Sequence, residues 1–410
     1  MISLFTGAFL SSPRPLELSF NYCSHSCAFC FANLNEPSRT VDIKKIMGQL
    51  QRYLDSPTLV SHLLREKYPI FVSNRVDPFA KSNYKQAVPV LRTLTELELP
   101  YAIASRGGDG IDEVLAFAPR LIWYLSINQD NEDRRKAIEP GGTTIAGRVK
   151  LCERLAKRGD VIHFAVNPYV PEWWDDFPAF AQAMRDAGAT GTYIQRLHLN
   201  SRQVHNMTNK EKTAMGPAAM KQAGNFKNYD FQLIRDAVSV LRSAGFSQVT
   251  APDLSEYSEL NRDDMAVYGK AFPTNTDLVD WAASSLPSER PVFSFAQYRD
   301  FFASRLPRGR FHLHDYLGAT ARQFFLTHTF SSGSFSDLLQ IIWDNPEMGR
   351  SPSNLPCFAF AGEDTPEKVV YYDSENHPLL VYSSAGFPAK GSIAPSRQYF
   401  STFSPMEVAA

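Results

Sequence analysis

Short apolar runs alternate with amphipathic stretches along the first half of the chain. PLELSFN (15–21), PIFVSN (69–74), PYAIAS (100–105), LIWYLSIN (121–128), VIHFAVNP (161–168) and ATGTYIQRL (189–197) are the apolar runs. Between them, over 43–65, 83–97, 111–117, 144–158 and 175–187, apolar residues recur three and four apart. The first pattern predicts buried strands and the second predicts helices with one apolar face. Strand and helix in turn, with short connections, predict βα units and a parallel sheet. Right-handed crossovers place every helix on the same side, so six units curl into a partial (βα)6 barrel of the TIM type.

After Leu199 the pattern changes. Residues 200–228 are polar and predict an insertion or lid. A helix over 229–243 and a strand over 247–251 predict that the barrel continues. From about 255 the chain is rich in aromatics, with mixed α and β signals. VVYY (369–372) and PLLVYSS (378–384), joined by a polar turn, predict a β-hairpin. The expected organisation is a barrel over 1–250, with its core at about 15–200, and a mixed α+β region over 251–410. That second region is expected to close the barrel and shape the substrate pocket.

Composition narrows the classes. Of 410 residues, 42 are Lys or Arg and 43 are Asp or Glu, so the net charge is −1. The chain lacks the basic surplus of most nucleic-acid binders, although a local patch can sit within a neutral total. The densest basic stretch holds Arg305, Arg308, Arg310, His312 and His314, interleaved with Phe301, Phe302 and Phe311. Such a mixture can track phosphates and stack bases, and it is equally common at a solvated helix end. No apolar run reaches the roughly 20 residues of a membrane span, and the N-terminus lacks a basic signal-peptide segment. The expected location is the cytoplasm.

Cysteine usage changes the picture most. Cys23, Cys27 and Cys30 are clustered, while Cys152 and Cys357 stand alone. An odd number with a tight cluster is no disulfide framework and points to metal chemistry. The C-x3-C-x2-C spacing follows the first strand of the βα series, at the end where such folds carry their sites. Three thiolates can hold three irons of a [4Fe-4S] cluster and leave the fourth open to the amino and carboxylate groups of S-adenosylmethionine. Zinc, with His25 as fourth ligand, is the rival reading.

The motif resembles that of the radical S-adenosylmethionine superfamily. Two further segments are similar to spore photoproduct lyase and its relatives. They are SINQDNEDRRKAIEPGGTTIAGRVKLCERLAKRGDVIHFAVNPYVPEWWDDF (126–177) and VSNRVDPF (72–79), so the resemblance covers roughly 15–200. It implies one [4Fe-4S] cluster on Cys23, Cys27 and Cys30. It also implies a cofactor site for S-adenosylmethionine at the strand ends, formed by Phe29, Ser73, Asn74, Asp77, Ser105, Arg106 and Ser126. Arg106 stands where the family often has Lys. Glu139, before a Pro-Gly-Gly turn, is expected to pair with Arg148 and shape that pocket. Cys357 is a candidate hydrogen donor to a substrate radical, and Cys152 is expected to be a buried inert thiol.

The implied chemistry is hydrogen abstraction by a 5′-deoxyadenosyl radical, in a lyase or repair-like reaction on a nucleobase-type substrate. That substrate is either free or within a nucleic acid. The implied partner is a one-electron donor of flavodoxin or ferredoxin type, with no membrane. Radical modification of another small metabolite is the second reading. A non-catalytic cluster-containing sensor is the third, and production of 5′-deoxyadenosine separates it from the other two.

Overall fold

The computed structural model describes residues 3–5, 17–20, 23–30, 32, 48, 50–52, 54–55, 59–73, 76–223, 230–251, 275–289, 291–305, 335–344, 351–355, 357–363 and 369–387. The chain divides into two compact units: among the described residues, those up to 251 apart from Leu59 belong to the first, and Leu59 and 275–387 to the second.

In the first unit the expected strands follow in order, preceded by a short strand that the sequence pattern does not predict. The elements are β1 (Ser3–Phe5), which is that short strand, β2 (Glu17–Ser19), α1 (Leu59–Arg65), β3 (Ile70–Val72), α2 (Tyr84–Glu96), β4 (Tyr101–Ser105), α3 (Ile111–Leu115) and β5 (Ile122–Ser126). Then come α4 (Glu132–Ile138), α5 (Ile145–Arg158), β6 (Val161–Tyr169), α6 (Phe177–Asp186) and β7 (Gly191–Arg196). The unit continues through α7 (Ser201–Asn206), α8 (Asn209–Met215), α9 (Pro217–Gln222), α10 (Gln232–Ser243) and β8 (Gln248–Thr250). The strands form one sheet in sequence order from β1 to β8, with only the β1–β2 pair antiparallel. Consecutive parallel strands need crossovers of a dozen residues or more, and here the helices supply them. The fold is α/β, with β2 to β8 as an open parallel series.

Alternation along each strand separates the two faces. One face carries Val72, Ile103, Trp123, Leu125, Phe164 and Ile194 and packs in the large core with the helices. The other face gathers Phe71, Ala102, Ile122, Tyr124 and Ala165, flanked by Ala104, Val161 and Tyr193. This inner face mixes small residues with aromatic and polar ones.

Two further features differ from the sequence expectation. The polar stretch after β7 is largely helical, because Asn200 with Gln203 and Thr208 with Glu211 form capping boxes that start α7 and α8. Residues 132–138 also form a helix, α4, started by Asn131 accepting from the N–H groups of Asp133 and Arg134. Seven residues are too few to show an apolar stripe, which is why periodicity passed over it.

The second unit contains α11 (Asn275–Ser285), β9 (Val292–Phe293), α12 (Phe295–Arg305), α13 (Phe335–Asp344), β10 (Phe358–Phe360), β11 (Gly362–Glu363), β12 (Val369–Val370) and β13 (Leu380–Tyr382). The expected 369–384 hairpin is only partly formed. Tyr372 and Pro378 bridge across its turn, but β12 pairs with β11, whereas β13 pairs with β10 and β9. The aromatics form a core in which the Phe293 ring lies 5.3 Å from Trp343 and 5.2 Å from Phe358. Phe301 and Phe302, read as possible base-stacking rings, are buried at 3% and 0% exposure. They are core residues, and Arg305 folds back over Phe301 at 4.2 Å. The rest of that basic stretch, 306–314, lies outside the described residues. Among the described residues no helix is long and apolar enough to cross a membrane.

Candidate functional site

The cysteine loop leaves the C-terminal end of β2 and is tied down by residues far along the chain. Ala28 N–H donates to the Ile138 carbonyl (2.8 Å), and Gly141 N–H donates to the His25 carbonyl (3.0 Å). The backbone N–H groups of Ser24 and Ser82 each donate to the other's hydroxyl, at 3.1 and 3.2 Å. Within the loop, Cys30 N–H donates to the Cys27 carbonyl (3.0 Å). Cys23 and Cys27 are buried and Cys30 is half-buried.

His25 occupies the centre of this arrangement. Its Nδ1 lies 2.9 Å from the Gly141 carbonyl, and its Nε2 lies 3.1 Å from Asp77 Oδ2. Both nitrogens therefore face oxygen atoms. Burial opposes the charge, but Asp77 and the Gly141 carbonyl outweigh it and raise the imidazole pKa. Both ring nitrogens are directed at oxygen atoms rather than at a shared metal position, which does not favour His25 as the fourth ligand that zinc would need.

Asp77 is the second anchor. Its carboxylate accepts from Phe79 N–H (2.9 Å), the Ser105 hydroxyl (2.9 Å) and Arg106 N–H (2.5 Å), besides facing His25. Burial pushes this carboxyl up, but His25 and the hydrogen bonds bring it below the usual carboxylate range. Asp77 thus joins the ends of β3 and β4 to the cysteine loop. Asp77→Asn keeps the shape but removes the charge facing His25, and it turns an NH2 group toward one of these donors. The expected result is a reconstituted protein with well under half the wild-type iron per chain, read by iron analysis. Full iron content would show that the loop does not depend on this anchor.

Glu139 is the third anchor and is fully buried. It accepts from Arg148 Nη2 (2.6 Å), Arg106 Nε (3.1 Å) and Asn128 Nδ2 (3.2 Å). Burial pushes its pKa up, yet the two guanidinium groups override this and hold it at about 2. Arg148 also donates to the carbonyls of Thr143 and Ser126, both at 3.0 Å. The Glu139–Arg148 pair expected from sequence is therefore the centre of a network that also takes in Arg106 and the end of β5.

The remaining candidates are distributed as follows. Phe29 is buried, with its ring 5.5 Å from Trp173 and the Arg106 guanidinium 5.4 Å above it. Ser73 has φ +78° and donates its hydroxyl to the Val76 carbonyl, forming the turn that presents Asp77. Ser105 serves Asp77 and also accepts from Gly107 N–H (2.8 Å). Ser126 ends β5 on the inner face, beside Ala165. Asn74 lies outside the described residues. Cys152 is fully buried on α5, where burial pushes its thiol to about 12, with help from Glu153. Cys357 belongs to the second unit and is half-buried.

Sequence reasoning missed two residues in this neighbourhood. Asn128 links Glu139 to β6 by accepting from Asn167 N–H (2.9 Å). Gln129, next in the chain, is fully buried with both ends of its amide unpartnered. Their signal was a pair of amides after an apolar strand, where a turn is usually assumed.

The donor types of the loop, three thiols within eight residues, suit the implied iron–sulfur cluster. Among the described residues no three or more His, Cys, Asp or Glu side chains converge as ligands of a single ion. Burial, followed by Asp77, pushes the Cys23 thiol to about 12, and burial raises Cys27 against the pull of Arg106. Thiols so placed ionise readily only beside added positive charge, which iron supplies. The orphaned Gln129 amide at the strand ends is the kind of group a bound polar molecule would satisfy.

No protein-family model and no curated protein matches the sequence. Solved structures do align with it. SuiB of Streptococcus suis bound to S-adenosylmethionine aligns at TM-score 0.41 and 14% identity, over 58% of this chain and 50% of that one. The aligned part thus spans about half of the SuiB chain. Spore photoproduct lyase complexed with dinucleoside spore photoproduct aligns at TM-score 0.41 and 13% identity, over 61% of this chain and 75% of that one. TYW1 with a lysine-pyruvate adduct aligns at TM-score 0.36 and 12% identity, over 57% and 74%. The chain is similar to these three proteins over somewhat more than half of its length.

Proposed function

We propose that the chain is a radical S-adenosylmethionine enzyme acting on a nucleobase-type substrate, in a lyase or repair-like reaction. Cys23, Cys27 and Cys30 would hold one [4Fe-4S] cluster, and the ends of β3 to β6 would hold S-adenosylmethionine. When bound and reduced by one electron, this pair supplies a 5′-deoxyadenosyl radical that takes hydrogen from a C–H bond. The electron would come from a flavodoxin or ferredoxin.

The observation that carries this reading is the anchoring of the cysteine loop at the mouth of the parallel sheet. Asp77 faces His25 within that loop, and Glu139, paired with Arg148, lies between Ile138 and Gly141, whose backbone bonds the loop. The His25 ring is engaged on both sides, so it braces the loop rather than adding a ligand. Arg106 spans the two anchors, with its N–H on Asp77 and its guanidinium on Glu139. It keeps a positive charge beside Cys27 while its side chain is only 20% exposed. Phe29 and Trp173 provide an apolar screen next to it, which suits chemistry that water would quench.

The test is anaerobic reconstitution of the full chain. Iron and sulfide should each reach about four per chain, and replacing any of Cys23, Cys27 or Cys30 by Ala should abolish this. With a reductant and S-adenosylmethionine, chromatography should detect 5′-deoxyadenosine even before substrate is known. A protein that binds one zinc tightly and takes up no iron would overturn the reading.

A further inference from the structure

The seventh parallel strand, β8, brings side chains to the inner face that the function described above does not use. Strand register sets them in rows. Tyr124, His163, Gly191 and Gln248 form one row, and Ala165, Tyr193 and Thr250 form the next, nearer the strand ends. Paired residues of parallel strands point the same way, so Gln248 and Thr250 share the face of Tyr124 and Tyr193.

The first row is cut to fit. A Cβ on Gly191 would lie 2.4 Å from His163 Nδ1 and 3.0 Å from Gln248 Oε1. Glycine therefore leaves room for both the His163 ring and the Gln248 amide to lie over β7. The nitrogen of the same amide, Gln248 Nε2, is buried and has no partner. Two residues on, the Thr250 hydroxyl is also without a partner, in a side chain only 3% exposed. Folded chains rarely keep two adjacent buried polar groups unpaired, so this pair calls for a partner, a water or a bound molecule.

The chemistry of the rows specifies such a molecule. Neither row contains Asp, Glu, Lys or Arg, so an anion or cation would be buried there unpaired. Tyr124 and His163 lie with ring centroids 5.0 Å apart and, with Tyr193, offer flat faces. We propose that the β7–β8 part of the inner face is a subsite for an uncharged planar ring with an adjacent carbonyl and N–H. The carbonyl accepts from Gln248 Nε2–H, and the ring N–H donates to the Thr250 hydroxyl. This rests on the enzyme reading above and adds to it the class of ring and the strand that selects it.

The experiment uses the reconstituted full chain with S-adenosylmethionine and measures binding by calorimetry. The probes are uracil and hypoxanthine, which carry the edge, and benzoate, which is planar but charged and lacks it. At least one of the first two should bind and benzoate should not. Gln248→Met and Thr250→Val, which keep volume, should each weaken binding at least tenfold while circular dichroism and the unfolding midpoint stay at or above wild type. Should one variant fail to fold, the other decides. Equal binding by the folded variants overturns the subsite, and so does failure of both edge-bearing probes to bind wild type. Release of 5′-deoxyadenosine by wild type is measured separately. Its absence sinks the enzyme reading, whereas its presence with unaffected probe binding sinks the subsite alone.

Discussion

Replacing Glu139 by leucine is expected to destabilise the first unit by roughly 3–5 kcal/mol, the usual cost of leaving a buried charge uncompensated. Two guanidinium groups depend on this carboxylate, and Arg148 has no exposed surface. Leucine offers nothing to Arg148 Nη2, Arg106 Nε or Asn128 Nδ2. Glu139→Gln should fall between, since it accepts hydrogen bonds without the charge. The same network predicts a pH dependence. The Glu139 pKa is lowered on folding from 4.5 to about 2. Its contribution, roughly 3 kcal/mol by linkage, is therefore complete above pH 4.5 and is lost as pH falls through about 2. Urea unfolding at pH 7 and across the acid range measures both. A Glu139→Leu protein as stable as wild type at pH 7 would mean that the two arginines find other partners.

Gly141→Ala is expected to leave the sheet folded and to remove most of the iron, to less than about a quarter of wild type. A Cβ at this position would lie 2.2 Å from the Ser24 carbonyl oxygen and 2.8 Å from His25 Cα. Both are backbone atoms, so no side chain can swing aside, and the cysteine loop itself must shift. The shift would also break the Gly141 N–H bond to His25 and the one that His25 Nδ1 donates in return. Iron analysis after anaerobic reconstitution, with circular dichroism as the check on folding, reads the result. Wild-type iron content in a folded Gly141→Ala protein would show that the turn and the loop move independently.

Much of the first unit was legible in the sequence because its signals are local. Six apolar runs at helix-length intervals permit few arrangements other than consecutive parallel strands. The C-x3-C-x2-C spacing and the Glu139–Arg148 pairing were legible too. Other features depended on distant partners. Gly141 reads as an ordinary turn residue until Ser24 and His25 are brought against it. Asp77 reads as a group free to meet a cofactor until its acceptor positions are found occupied by His25, Phe79, Ser105 and Arg106. In the second unit, Phe301 and Phe302 carry the same composition whether they stack on bases or fill a core. Only their burial decides. The 369–384 turn was visible, but strand choice depends on non-local pairing, and β13 found β10 and β9 rather than its neighbour in sequence.

The anchoring of the cysteine loop has a consequence for how the chain comes together. The residues that hold it are not its neighbours in sequence. Ser82 lies 58 positions beyond Ser24, and Gly141 lies 116 positions beyond His25. Closing loops of that length is slow relative to forming a helix or a hairpin, and it needs the intervening strands in place. The three thiols lie within eight residues of each other, yet their arrangement depends on contacts that close only across those distances. A nascent chain that has emerged only as far as β4 carries all three cysteines but lacks Glu139 and Gly141. The shape of the cysteine loop is thus a product of assembly through β5 and α4, not a property of the short peptide that contains it.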